Sequence, residues 1–145
     1  MSRILAIDYG GKRVGVAVTD NLQLIANGLD TVATKEIFVF LKNYLAKEIV
    51  ECVVVGEPKR LNLMDTHSTE MTEKFVKELK GRFPGMKVDR MDERFTSKMA
   101  FQAMIDGGVK KKDRKNKETV DKVSATLILQ SYMEHLKFKK QNSNS

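Results

Sequence analysis

LAIDYGGKRVGVAV, from Leu5 to Val18, decides the fold. Two apolar stretches flank a loop that holds three glycines and two bases, and the first stretch ends in an acid, Asp8. Ile4–Asp8 is almost wholly apolar and alternates poorly, as a strand covered on both faces does. Val14–Thr19 alternates Val14, Val16 and Val18 with Gly15 and Ala17, and reads as a second strand. Asp20-Asn21 is a turn signal, so Leu22–Ala26 is expected to pair back as a third strand.

Outward from this meander, Thr34 is placed to cap a helix through Glu48, with Ile37, Leu41, Tyr44, Leu45 and Glu48 on one side. Ile49–Gly56 is a β-branched run and the next buried strand. A helix is expected over Thr66–Lys80, with Met71, Phe75, Val76 and Leu79 as its apolar stripe, stopped by Gly81 and Pro84-Gly85. Met86–Met91 is a further strand. Thr96 opens a short helix that Gly107-Gly108 ends. Glu118–Leu136 is the last helix, with Val120, Val123, Ser124, Leu127, Ile128 and Ser131 as its expected core face. The chain then reads as one domain over 1–138, with a disordered tail over 139–145.

This order gives an α/β fold: a mixed five-stranded sheet, three antiparallel strands and then two parallel ones, flanked by helices. The whole chain has 145 residues, enough for one real core, with 41% hydrophobic and 31% charged residues. No apolar run approaches the roughly 20 residues of a membrane span. MSRILAIDYG lacks the long apolar region of a signal peptide, so a cytoplasmic location and no membrane partner are the expectation. Cys52 is the single cysteine and lies in an apolar run, which suits a buried thiol. One Cys with His67 and His135 far apart does not make a zinc site.

The net charge of +7 favours a polyanionic partner. It is concentrated in Lys110, Lys111, Lys112, Arg114, Lys115 and Lys117, six bases against the single acid Asp113. Such a run is either a solvated loop or an arm on phosphates, which gives affinity without sequence preference.

In such sheets, sites gather outside the carboxyl ends of the parallel strands. The residues there are Asp8, Glu57 and the pair Asp92-Glu93. Neighbouring carboxylates repel unless a cation lies between them. Hard oxygen donors suit Mg2+ or Mn2+, and one or two such ions serve phosphodiester cleavage. Asp121, near the start of the last helix and beside its core face, is the third candidate ligand with Asp8 and Glu93. Each acid also has a plainer reading: a turn cap for Asp8, a salt bridge with Arg90 or Arg94 for Glu93, a first-turn dipole partner for Asp121. Gly10-Gly11-Lys12-Arg13 is not a dinucleotide fingerprint, since a strand and not a helix follows it. Glycines there allow close approach of a polyanion, and Lys12 and Arg13 neutralise its charge. A two-domain ATPase uses a similar hairpin, but one domain cannot enclose ATP.

Four blocks carry a family resemblance over about Arg3 to Leu136. They are Asp8-Tyr9-Gly10-Gly11-Lys12-Arg13-Val14-Gly15-Val16-Ala17, Val54-Val55-Gly56-Glu57-Pro58, Asp92-Glu93-Arg94-Phe95-Thr96-Ser97, and Val120 through Gln130. The chain resembles the YqgF family, also called RuvX, with the ribonuclease H-like fold. Two features depart from the family pattern: Glu57, and the segment after Pro58, which lacks the usual small Gly-Ser pairing. The resemblance implies an endonuclease that matures the 5′ end of 16S ribosomal RNA, acting on structured precursor RNA or on ribosomal particles. It implies Asp8, Glu93 and Asp121 as catalytic metal ligands. Gly10, Gly11, Lys12, Arg13, Arg94 and the 110–117 run would hold the strand. Two alternatives stand beside it. One is a Holliday junction resolvase on branched DNA, which needs a symmetric dimer; the other is an RNA-binding assembly module without catalysis. Whether the chain is a monomer or a homodimer stays open.

Overall fold

A computed structural model describes residues 2–57, 66–92 and 117–143, with side chains throughout except at 57, 66–69, 92, 117–121 and 138–143. The strands are β1 (Arg3–Tyr9), β2 (Arg13–Thr19), β3 (Ala26–Ala33), β4 (Val50–Glu57) and β5 (Lys87–Asp92). The helices are α1 (Ile37–Lys47), α2 (Thr66–Arg82) and α3 (Lys117–Ser143), and a 3-10 turn, Thr34–Glu36, leads into α1. One sheet runs β3-β2-β1-β4-β5. β1 pairs antiparallel with β2 and parallel with β4; β2–β3 is antiparallel and β4–β5 parallel. The expected mixed sheet is therefore the observed one. The expected helix after Thr96 lies outside the described residues. No described helix is long and apolar enough to cross a membrane.

Alternation along the strands gives the sheet two unlike faces. Leu5, Ile7, Val14, Val16, Val53 and Val55 pack against Ile37 and Leu41 of α1 and against Phe75, Val76 and Leu79 of α2. The other face is built from smaller residues. Ile4, Ala6, Ala17, Cys52 and Val54 lie there beneath Ala125, Ile128, Leu129, Tyr132 and Met133 of α3.

Three expectations need correction. The third strand is not Leu22–Ala26 but Ala26–Ala33. Leu22, Leu24 and Ile25 are 56%, 65% and 61% exposed. They sit in a loop gathered by the Asp20 carboxylate, which accepts the backbone N–H groups of Leu22, Leu24 and Ile25. Gln23 takes φ 56° in that loop. Second, Thr34 does not cap α1: neither that helix nor the 3-10 turn has a side-chain cap. The Thr34 hydroxyl donates instead to the Gly10 carbonyl at 2.6 Å. Third, the buried stripe of α3 is Ser124, Ala125, Ile128, Leu129, Tyr132 and Met133. Val123, Leu127 and Ser131 are half-buried on its flank. An alanine turned inward lets the helix approach a sheet face of small residues, and the bulkier Val123 and Leu127 then fill the sides.

Tyr132 pins α3 to the sheet. It is 2% exposed, donates to Asp89 Oδ2 of β5 at 2.8 Å and lies 3.8 Å from Cys52 Sγ of β4. Burial first, and then the bond to Asp89, hold its hydroxyl neutral well above the ordinary value of 10.0. The neutral phenol therefore contributes its full stability below pH 10, and that stability is lost as pH rises beyond. We expect Tyr132→Phe to cost about 1 kcal/mol by urea unfolding at neutral pH. The gap between the two proteins should narrow above pH 10.

Candidate active site

Asp8 is the last residue but one of β1, the central strand, and is half-buried. It follows Ile4 and Ala6 on the face that α3 covers. Its partner across the antiparallel pair is Gly15. On the other side β4 brings Gly56 one residue beyond the Ile7–Val55 pair. Gly56 pairs with Met91, which packs in the α3-side core, so it shares the face of Asp8. The carboxylate thus stands between two strands that carry no side chain beside it. Among the described residues, the two flanking strand positions therefore add no bulk beside it.

The loop after β1 is held from two sides. A Cβ on Gly10 would sit 2.6 Å from the Arg13 carbonyl oxygen, so only glycine fits that turn. The Thr34 hydroxyl binds the Gly10 carbonyl, and the Thr34 N–H donates to the Lys12 carbonyl at 3.0 Å. Tyr9 stacks on Phe75 of α2 with ring centroids 4.4 Å apart, which fixes the last residue of β1. Burial, and after it the Glu78 charge, push the Tyr9 hydroxyl above its usual range. Lys12 is exposed at the loop tip. Arg13 opens β2 two residues before Gly15, hence on the same face as Asp8.

Of the expected site residues, Asp8, Gly10, Gly11, Lys12 and Arg13 come together at this one end of the sheet. Glu57 and Asp92 end β4 and β5 as a registered pair, with side chains outside the described set. Glu93, Arg94, Lys110, Lys111, Lys112, Arg114 and Lys115 lie outside the described residues, as do the side chains of Lys117 and Asp121. The backbone of Asp121 belongs to α3, four residues before the buried Ala125. α3 runs against β1: Lys122 and Thr126 lie at Gly28 of β3, whereas Gln130, Met133 and Lys137 line a groove with Leu24, Ile25 and Ala26. Its N-terminal end therefore faces the end of the sheet that carries Asp8. Among the described residues, no three His, Cys, Asp or Glu side chains gather as a metal site.

Sequence reasoning missed Thr34 as a brace, because Ser and Thr before a helix are first read as caps. It also missed the pairing of Asp8 between two glycines. Gly15 was visible in the motif, but only the strand register sets it beside the acid.

The sequence matches the family described as "RuvX: Holliday junction resolvase" over residues 2–135. The chain belongs to the RuvX family. Its fold is accordingly ribonuclease H-like, as the mixed sheet and flanking helices agree. A relative in Flavobacterium psychrophilum is 56% identical over 133 residues, covering 92% of this chain and 97% of its own. One in Phocaeicola vulgatus is 55% identical over 138 residues, covering 95% and 99%. Both carry the name "Putative pre-16S rRNA nuclease". Among solved structures, that of Archaeoglobus fulgidus Pelota overlaps 93% of this RuvX-family chain and 37% of its own, with 16% identity and a TM-score of 0.47. A likeness of that size carries no argument.

The braced hairpin should be sensitive to small changes. We expect Thr34→Val to lower stability by about 1 kcal/mol, since it removes the donor to Gly10. Gly10→Ala should be worse, because the clash is with backbone and the turn must reopen. Urea unfolding of the two variants beside the parent protein checks both.

Proposed function

We propose that this chain is a metal-dependent endonuclease that processes the 5′ end of pre-16S rRNA. The observation that carries the reading is Asp8, a half-buried carboxylate at the carboxyl end of the central strand, set between two glycines with Lys12 and Arg13 beside it. Membership of a nuclease family and relatives named for pre-16S rRNA support it.

Asp8 suits a divalent cation, since both strand residues beside it are glycine and its donors are hard oxygens. Glu93 and Asp121 would complete the ligand set with Mg2+ or Mn2+. The ion when bound supplies the positive charge that eases deprotonation of a water and offsets charge on the leaving oxygen. The chain's own part is to position the substrate. Gly10 and Gly11 leave room for the phosphodiester backbone. Lys12 and Arg13, with Arg94 and the 110–117 bases, neutralise neighbouring phosphates. Most of these contacts are to backbone, so the shape of the RNA and not its sequence would select the cleavage point.

The family description favours a second substrate, four-way junction DNA. A resolvase acts as a symmetric pair on opposed strands, so a monomer on the junction would speak against it.

Purified protein should cleave precursor 16S RNA when Mg2+ or Mn2+ is added and stop when EDTA is added. Asp8→Asn should reduce cleavage at least about 1000-fold while RNA binding persists. Undiminished cleavage by Asp8→Asn would sink the mechanism. Cleavage of junction DNA alone, run side by side, would replace the RNA reading.

A further inference from the structure

Among the described residues five large apolar side chains are exposed, and four of them lie at the end of the sheet opposite Asp8. Leu22, Leu24 and Ile25 belong to the loop between β2 and β3, and Ile49 precedes β4. β4 runs parallel to β1 and β2 antiparallel to it, so all four sit where β1 begins. The loop is not free to turn its apolar side chains inward. Besides the three N–H groups that the Asp20 carboxylate accepts, the Gln23 side-chain amide donates to the Ser2 carbonyl at 3.0 Å and to the Glu51 carboxylate. The Gln23 N–H donates to the Asp20 carbonyl at 3.0 Å. A loop so tied presents Leu24 and Ile25 in one arrangement. An apolar surface ordered beforehand loses little entropy when a partner covers it.

Leu24, Ile25 and Ala26 form one wall of a groove, and Met133, Glu134 and Lys137 of α3 belong to the other. Glu134 and Lys137 are exposed, opposite in charge and three residues apart, hence neighbours on one side of the helix. Among the described residues neither is in a salt bridge, with the other or with a third group. One acid and one base beside an apolar wall make a surface complementary to itself. A two-fold axis between the two side chains sets each against its opposite on the other copy, twice over. We propose that two copies of this chain pair through this groove. Their α3 helices lie antiparallel, Leu24 and Ile25 of each copy enter the groove of the other, and Glu134 of each meets Lys137 of the other. The net charge of +7 opposes association of copies in general, but in this groove one acid and one base cancel. The same balance disfavours a nucleic acid as the occupant, which needs a surplus of bases. Pairing at this end leaves the Asp8 end of each copy uncovered.

Sedimentation velocity over a range of protein concentration, with thermal melting of each chain, tests the pairing in the full chain. The parent should pass from monomer to dimer as concentration rises. Leu24→Lys places a charge at a position that is already exposed in the single copy, and it should raise the dimer Kd at least about thirtyfold. Glu134→Lys gives a groove with two bases, and Lys137→Glu gives one with two acids. Each alone should raise Kd about tenfold, since both reciprocal pairs become repulsive. An equimolar mixture of these two chains should pair about as well as the parent, because every acid then meets a base. Neither a partner of another kind nor a merely structural role for the two residues produces that rescue. A parent that stays monomeric at every concentration overturns the proposal, as does a Leu24→Lys chain that melts like its parent and pairs as tightly. So do single charge variants that pair as tightly as the parent, or a mixture as weak as its components. If Leu24→Lys does not fold, the two charge variants and their mixture decide alone.

Discussion

The close approach of α3 to one face of the sheet is the constraint on which the site depends. A helix set over Leu, Ile and Phe stands off by the thickness of those side chains; one set over alanine and glycine comes nearer. Here Ala6 and Ala17 of the sheet meet Ala125 of the helix, and Gly28 admits the Lys122 stem. The stability that the small face forgoes is supplied behind it, where α1 and α2 bury Leu5, Ile7, Leu41, Phe75 and Leu79. One side of the sheet therefore carries the bulk of the core, and the other is free to be thin. A thin face brings the backbone of a long helix alongside the end of β1.

The same thinness explains Asp8. An ionised carboxylate in a crowded core would pay a desolvation penalty of several kcal/mol. Asp8 instead lies at the strand end, half-buried, with Gly15 on one side and Gly56 on the other. The acid is held rigidly because its neighbours are not loops but registered strands. Tyr9, one residue on, faces the opposite way and is clamped on Phe75. The strand is therefore anchored on its thick side immediately beyond the residue that faces its thin side. Rigid support of this kind is what the proposed role of Asp8 would need, since small errors in ligand position are expensive.

Much of this was legible from the residues. β1 and β4 are read directly from their apolar runs, and the position of Asp8 follows from where the first run stops. What was not legible follows from two physical effects. The apolar triplet Leu22, Leu24 and Ile25 looks like a strand by hydrophobicity, yet the strand is the more polar ANGLDTVA. An edge strand needs only one partner and buries only part of its surface, so its pattern is weak. The local carboxylate network of Asp20 then wins the preceding residues for a loop. The phase of α3 was misread for a related reason. Periodicity searches reward Val and Leu, whereas a helix on a thin face turns its Ala inward.

The brace at Thr34 shows how the sheet's order and the hairpin's chemistry are tied. The first hairpin would be free at its tip if it relied on β1 and β2 alone, because a glycine-rich turn loses much entropy on ordering. β3 lies beyond β2 and its end returns to the same level as that tip. Thr34, the first residue after β3, can therefore reach back across the hairpin and bind the carbonyls of Gly10 and Lys12. Both carbonyls are thereby occupied by protein donors, which leaves no need for them to face a polyanion. The phosphate contact proposed for this loop requires its acceptors to be satisfied elsewhere, and a threonine on the third strand's exit does this without adding a charge.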